Sequence, residues 1–268
     1  MLTTNNHFSY SQISAFKMCR EHYKILYLDG IRKVDESLEA FMGKCVHAVL
    51  EWVYHPRNIK KPYMTFDSVC KKYDKIWLKA WHDHIYIANP RNTTDEYYTI
   101  GKRCLANYYN KYGPVFEESV KGTEVELNFT INDTYKFRGV IDRLDNPSEG
   151  QWIIHDYKTG KHPKTERSAR SDLQLALYQI AVESNFEPVD EVQLVWHFLR
   201  TGTEVKIVHD NDTLESIRKK TTRAVDKIIK FSEDKGNFYP KESLLCNWCY
   251  YWQECSAKVG QNPSMIAK

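Results

Sequence analysis

The sequence predicts an α/β fold, and three observations carry that prediction. Helical hydrophobic periodicity dominates the chain to about residue 112. Alternating, β-branched runs begin near Gly122 and continue to Lys158. A helix pattern near 168–184 then separates those runs from a second strand pair at 191–199 and 203–208.

Each element has its own signal. The opening Phe8-Ser-Tyr-Ser-Gln-Ile-Ser-Ala-Phe offers serines able to cap a helix, on which Ile13, Phe16 and Cys19 share a face and Tyr23 continues it. Residues 37–54 place Leu38, Phe41, Met42, Val46, Val49, Leu50 and Val53 in one apolar stripe, with His47 and Glu51 four apart to one side. Pro56 and Pro62 bracket a basic loop. Two helices rich in Trp and Tyr are expected at about 65–84 and 95–112, without strand signal, broken between them by Asn89-Pro90. Thr123–Ile131 and Tyr135–Asp145 read as strands around a tight hairpin turn at Asn132-Asp133. A long amphipathic helix is expected over 212–233, with Leu214, Ile217, Ala224, Val225, Ile228 and Ile229 inward. Nothing resembling a linker or repeat divides the chain. One domain over 1–268 is expected: a mainly helical part to 120, a sheet core over 121–210, and a C-terminal helix with clustered cysteines over 211–268.

Composition narrows the functional classes. Apolar content of 42% and charged content of 27% belong to a folded globular chain, and a net charge of +3 says little about partners. There is no run of eighteen apolar residues and no charged-then-apolar leader, so no membrane partner is expected and a soluble, cytoplasmic protein is. Seven cysteines is an odd number for a secreted disulfide protein, which again favours a reducing compartment. Cys45, Cys70 and Cys104 fall in helical patterns and read as buried apolar side chains.

Residues 139–158 carry the chemistry. Gly-Val-Ile-Asp-Arg-Leu-Asp and Gln-Trp-Ile-Ile-His-Asp-Tyr-Lys flank a turn-forming Asn-Pro-Ser-Glu-Gly, which reads as a hairpin. Strand alternation points Asp156 and Lys158 to one face and Tyr157 to the other. With Asp145 and Gln151 as the last pair, Asp142 falls opposite Ile154 and joins that face. Two carboxylates and a lysine converging this way suit a divalent metal, with the backbone carbonyl of Tyr157 as a further oxygen. A protonated Lys158 would orient water or stabilise charge at a reacting phosphorus. A bare Asp-x-Lys is more often a surface ion pair worth about 0–1 kcal/mol. Here it has company: Gly-Val-Ile-Asp directly before it, Gln174 and Tyr178 on one helical face after it, and His47 upstream.

That ordered set, spanning residues 43–178, resembles the RecB-like branch of the PD-(D/E)XK nucleases. The resemblance implies a restriction-endonuclease-like core, a central mixed β-sheet flanked by helices, with an N-terminal helical insertion. It implies His47, Asp142 and Asp156 as metal ligands, Lys158 as the catalytic lysine, and Gln174 and Tyr178 as an auxiliary pair. An imidazole among carboxylates favours Mn²⁺ over Mg²⁺.

Cys246-Asn-Trp-Cys249 and Cys255 supply three thiols within ten residues, and Cys19 is the natural fourth. The thiol count permits either four-cysteine zinc or a four-iron cluster. The iron–sulfur CRISPR-associated exonucleases and the AddB nuclease domain are similar in placing one cysteine before the core and three after it. The resemblance therefore implies a 4Fe-4S cluster. It also implies a DNA exonuclease acting on single strands or ends, commonly 5′ to 3′, with recombination or spacer-acquisition proteins as partners or in a phage or repair setting. Lys161, Lys164, Arg167 and Arg170 form a basic edge beside the proposed site, suited to DNA phosphates. A second run, on the 212–233 helix, reads as a solvated face, and some Trp and Tyr residues between 73 and 112 could stack on bases. The rival expectation from another class is a catalytically silent, metal-stabilised nucleic-acid-binding subunit.

Overall fold

The computed structural model describes residues 7–59, 61–233, 238–258 and 260–266. Helix α1 (Tyr10–Met18) starts where the Ser9 side chain accepts the Gln12 N–H. It is followed by α2 (Arg20–Tyr23) and a π-helical turn over Lys24–Leu28. A two-residue strand β1 (Glu36–Ser37) leads into α3 (Leu38–Val53), capped by Ser37. Then come α4 (Pro56–Ile59), α5 (Phe66–Ala80), a second two-residue strand β2 (Ile85–Tyr86) and α6 (Thr94–Tyr112). The basic stretch after Pro56 thus opens as a helical turn, and its Lys60 lies outside the described residues.

Two expectations for this helical region need correction. The fifth helix stops at Ala80 rather than near 84, because the backbone turns extended at Trp81. The segment beyond it also contains strand: β2 pairs in parallel with β1, and Glu36 N–H donates to the His84 carbonyl. Two residues give no readable alternation, so the strand left no sequence signal.

The remaining strands are β3 (Val120–Ile131), β4 (Tyr135–Ser148), β5 (Gly150–Lys158), β6 (Val189–Phe198) and β7 (Thr203–Val208), with α7 (Glu166–Arg170) and α8 (Leu173–Asn185) between β5 and β6. They form one mixed sheet in the order β3-β4-β5-β6-β7, antiparallel except for the parallel β5–β6 pair. That parallel pair needs a crossover, and α7 and α8 supply it. Helix α9 (Asn211–Glu233), a 3₁₀ turn over Leu244–Trp248 and α10 (Pro263–Ile266) complete the chain. The fold class is α/β as expected.

The sheet separates two cores. Ile154, Leu194 and Trp196 pack with residues of α1, α8 and α9, such as Ile13, Ile180 and Val225. The stripe of α3 packs with α5, α6 and Tyr157. Among the described residues no helix is long and apolar enough to cross a membrane.

The β4–β5 hairpin forms in a register two residues from the expected one. Leu144, not Asp142, lies opposite Ile154, and Arg143 pairs with His155. The strands run on past Asp145 through an irregularity to Ser148–Gln151. The Asn146 side chain holds that extension by donating to the carbonyls of Ser148 and Gln151. Gly150 makes the turn at φ +75°, and a Cβ there would lie 2.0 Å from Asp190 Oδ2. Because the shift is even, Asp142 keeps its expected face.

Candidate active site

The proposed site is assembled from α3, three adjacent strands and α8. His47 stands on α3 with Nε2 2.8 Å from the Tyr157 carbonyl and Nδ1 3.6 Å from Asp142 Oδ2. The same Asp142 oxygen accepts the Tyr157 backbone N–H at 2.7 Å. The Tyr157 backbone therefore touches His47 through its carbonyl and Asp142 through its N–H. On β5, Lys158 Nζ lies 2.9 and 2.7 Å from the two Asp156 oxygens and donates to Gln174 Oε1 at 3.1 Å. Gln174 Nε2 in turn donates to the Tyr178 hydroxyl at 3.2 Å. The sequence-predicted residues thus form two bonded groups, His47 and Asp142 on the Tyr157 backbone and Asp156, Lys158, Gln174 and Tyr178 beside it, joined along β5.

Local structure explains the placement. The α8 helix begins at the Asp172 cap, which accepts the N–H groups of Gln174 and Leu175, so Gln174 sits in the first turn beside Lys158. Tyr178, one turn on, lies against Gly139 of β4, where any Cβ would approach its ring to 2.9 Å. The glycine of the Gly-Val-Ile-Asp run is there to admit the tyrosine.

The electrostatics are those of an acidic cleft. Burial raises the Asp142 carboxyl above its ordinary value and the Asp156 charge adds to this, against the pull of His47, the Tyr157 N–H and Lys158. Burial works against the Lys158 ammonium, but Asp156 and Asp142 outweigh it and hold the group protonated. Burial also raises the Tyr178 phenol, which keeps its proton.

One residue of the cleft escaped the sequence reading. The pairs Thr123–Arg143 and Val125–Ile141 set Glu124 across from Asp142. A Glu124 oxygen, an Asp142 oxygen and a His47 ring nitrogen lie within 4.8 Å of one another, and Glu124 adopts a left-handed φ of +48°. Burial raises its carboxyl, with Asp142 and then Glu51 adding to the effect. A nitrogen and two carboxylate oxygens at this separation fit a single divalent cation.

The cysteine set also assembles. Cys19, Cys246, Cys249 and Cys255 line one cavity of about 50 Å³ with His22, Tyr251 and Trp252. Backbone N–H groups of Lys241 and Ser243 point at the sulfurs of Cys19 and Cys246, at 3.4 and 3.5 Å. Glu21 accepts from Cys255 Sγ, from Ser256 N and from Ser256 Oγ. Among the described residues no three of these sulfurs come within 4.8 Å of one another. Tetrahedral zinc would bring them to about 3.8 Å, given Zn–S bonds near 2.3 Å. Cys45 and Cys104 are buried as expected, while Cys70 is half-buried.

The predicted basic edge is less uniform than the sequence suggested. Lys164 is ion-paired with the cap residue Asp172, and Arg170 bonds Glu166 at 2.7 Å one helical turn away. Lys161 and Arg167 are exposed.

The family model of the PD-(D/E)XK nuclease superfamily matches residues 7–256. The chain belongs to that superfamily. Members use divalent metals, which agrees with the acidic cleft around Asp142. The solved structure of a presumed exonuclease from Eubacterium rectale shares the fold, with a TM-score of 0.51 at 15% identity over 98% of this chain and 96% of that one. The structure of SSO0001 is also similar, at 15% identity and a TM-score of 0.37 over 93% and 96% of the two chains. No curated protein matches the chain.

Proposed function

We propose that this nuclease is a divalent-metal-dependent deoxyribonuclease that works as an exonuclease on single strands or DNA ends. The observation that carries the reading is that His47 and Asp142 meet on the Tyr157 backbone, directly beside Asp156 and Lys158, with Gln174 and Tyr178 bonded behind the lysine. His47, Asp142, Asp156 and the Tyr157 carbonyl would hold the metal, with Glu124 within reach of it. A bound divalent cation supplies an activated water and charge neutralisation at phosphorus. The chain's own groups do the rest. Lys158, kept protonated by two carboxylates, turns its ammonium toward developing negative charge. Gln174 accepts a hydrogen bond from Lys158 and so fixes its direction, while Tyr178 fixes Gln174.

A second part of the proposal is that the four cysteines hold a 4Fe-4S cluster. Their convergence on a shared cavity, one cysteine from the first helices and three from the C-terminal segment, supports it. Its role would be structural, tying the first helices to the C-terminal segment.

The test compares the parent with Asp142→Ala and Lys158→Ala on end-labelled single- and double-stranded DNA, with Mn²⁺, with Mg²⁺ and with chelator. Loss of activity in both variants and in chelator is expected, with Mn²⁺ preferred. Activity surviving Asp142→Ala would place the chemistry elsewhere. A parent that binds DNA but cuts none would favour the silent binding subunit. For the cluster, anaerobically purified protein should be brown, with broad absorbance near 400 nm; a colourless protein with stoichiometric zinc would refute that assignment.

A further inference from the structure

The side chains adjoining the proposed ligands turn away from them into one buried network. Arg143 follows Asp142, His155 precedes Asp156 and Tyr157 follows it, and their relative exposures are only 1, 5 and 3%. The Arg143 guanidinium is the hub. Its Nε lies 3.0 Å from Asp145 Oδ1, Nη1 donates to the hydroxyls of Tyr108 at 2.7 Å and Tyr157 at 3.3 Å, and Nη2 meets the His155 ring at 2.8 Å. The Tyr54 ring lies 4.1 Å below the guanidinium carbon, and the Tyr54 hydroxyl bonds Tyr108 at 2.6 Å. His155 continues to Asp145 and to His197, and His197 to Glu204.

A buried guanidinium is a costly way to fill a core, since apolar side chains would do so without desolvating a charge. This one instead reaches the three elements that bear His47, Asp142 and Asp156. It sits on β4 next to Asp142 and bonds the two residues that flank Asp156 on β5. Through Tyr54, the C-terminal cap of α3, it also meets the helix that carries His47. Three directions are fixed at once, which the planar fork of an arginine can do and the single ammonium of a lysine cannot.

We propose that Arg143 is a positioning residue that sets the spacing between His47 on α3 and the carboxylates on β4 and β5, acting from the α3 face of the sheet. The inference rests on the metal-centre reading above. It touches neither substrate nor metal, so its signature is a change in metal affinity out of proportion to the change in stability.

The experiment measures Mn²⁺ affinity by electron paramagnetic resonance, thermal midpoint, kcat and KM for the parent, Arg143→Lys and Leu214→Ala. Leu214 is buried in the core on the α9 side and serves as a control for destabilisation. Arg143→Lys should weaken Mn²⁺ binding about ten- to a hundredfold and lower kcat, with KM within about twofold of the parent. Leu214→Ala should lower the thermal midpoint and leave Mn²⁺ affinity unchanged. Should Arg143→Lys fail to fold, Tyr108→Phe removes one acceptor of the fork and should weaken Mn²⁺ binding severalfold. Parental affinity in Arg143→Lys, or in Tyr108→Phe where that variant stands in for it, would overturn the proposal while leaving the metal centre intact. An equal loss of affinity in Leu214→Ala would do the same. A parent that binds no Mn²⁺ would overturn the metal-centre reading and this inference with it.

Discussion

Glu124 meets Asp142 because of two residues at the far end of their hairpin. Asn132 and Asp133 take left-handed φ angles of +52° and +51°, and with Thr134 they form a three-residue connection between the strands. That turn pairs Ile131 with Tyr135, and counting back along both strands leads to Glu124 opposite Asp142. The turn was legible in the Asn-Asp pair, but read as a two-residue connection it would pair Ile131 with Thr134 and leave Glu124 opposite Ile141, one residue from its true register. Chemistry hid Glu124 as well: an exposed glutamate on a strand looks like any solvated one. Glu124→Gln should weaken Mn²⁺ binding about tenfold by titration calorimetry. Unchanged affinity would remove Glu124 from the ligand set. At Gly139, a single methyl group should push Tyr178 off β4, so Gly139→Ala should cost activity with metal affinity preserved. Full activity in that variant would show that the Tyr178 contact is dispensable.

At the level of elements, α8 is the one whose end matters most. Asp172 caps two of its N–H groups and also pairs with Lys164, so one side chain fixes where the helix starts and where the preceding loop returns. Asp172→Ala should cost about 1–2 kcal/mol of stability, measured as a shift in urea midpoint. It should also lower activity, because Gln174 is in the frayed turn; a destabilised but fully active variant would show that Lys158 does not need Gln174 in place. The β4–β5 hairpin shows why element boundaries are harder to read than elements. Asn146, Pro147 and Ser148 have the composition of a loop, yet the Asn146 amide bonds both strands and keeps the segment extended. The turn chemistry was read correctly, but the position of its tip depends on side-chain bonds that local pattern does not reveal.

For the whole molecule, the sheet's two faces age differently with acid. His155 and His197 are held neutral, His155 well below its ordinary value by burial beside Arg143, and His197 down to about 4, chiefly by burial. The unfolded chain binds protons on these rings near pH 6.5, where the folded chain does not. Their stabilising effect is therefore complete above pH 6.5 and is lost as pH falls toward about 4. On the order of 3 kcal/mol goes with His197 alone. Urea midpoints measured from pH 7 to pH 4 should fall steadily through that window and fall less in His197→Gln. A flat profile would mean that the rings are protonated or solvated in the fold. The family resemblance implied one mixed sheet flanked by helices, and the fold has it. The polar web between them was not predicted, because it joins residues as distant as Tyr54 and Glu204 that no short motif links.

The four cysteines also have a consequence for the unfolded chain. Cys19 lies between the first two helices, and its proposed co-ligands lie beyond residue 245, so a shared cluster would close a loop of more than two hundred residues. Restricting a denatured chain to that extent removes conformational freedom worth about 5 kcal/mol. Oxidative loss of the cluster would then act as a clock on the protein. The sheet and its acidic cleft would persist, while the tail, then tied by the Glu21–Ser256 bonds, Lys33–Glu254 and the Tyr86 and Tyr251 hydroxyls, would become the first segment a protease removes.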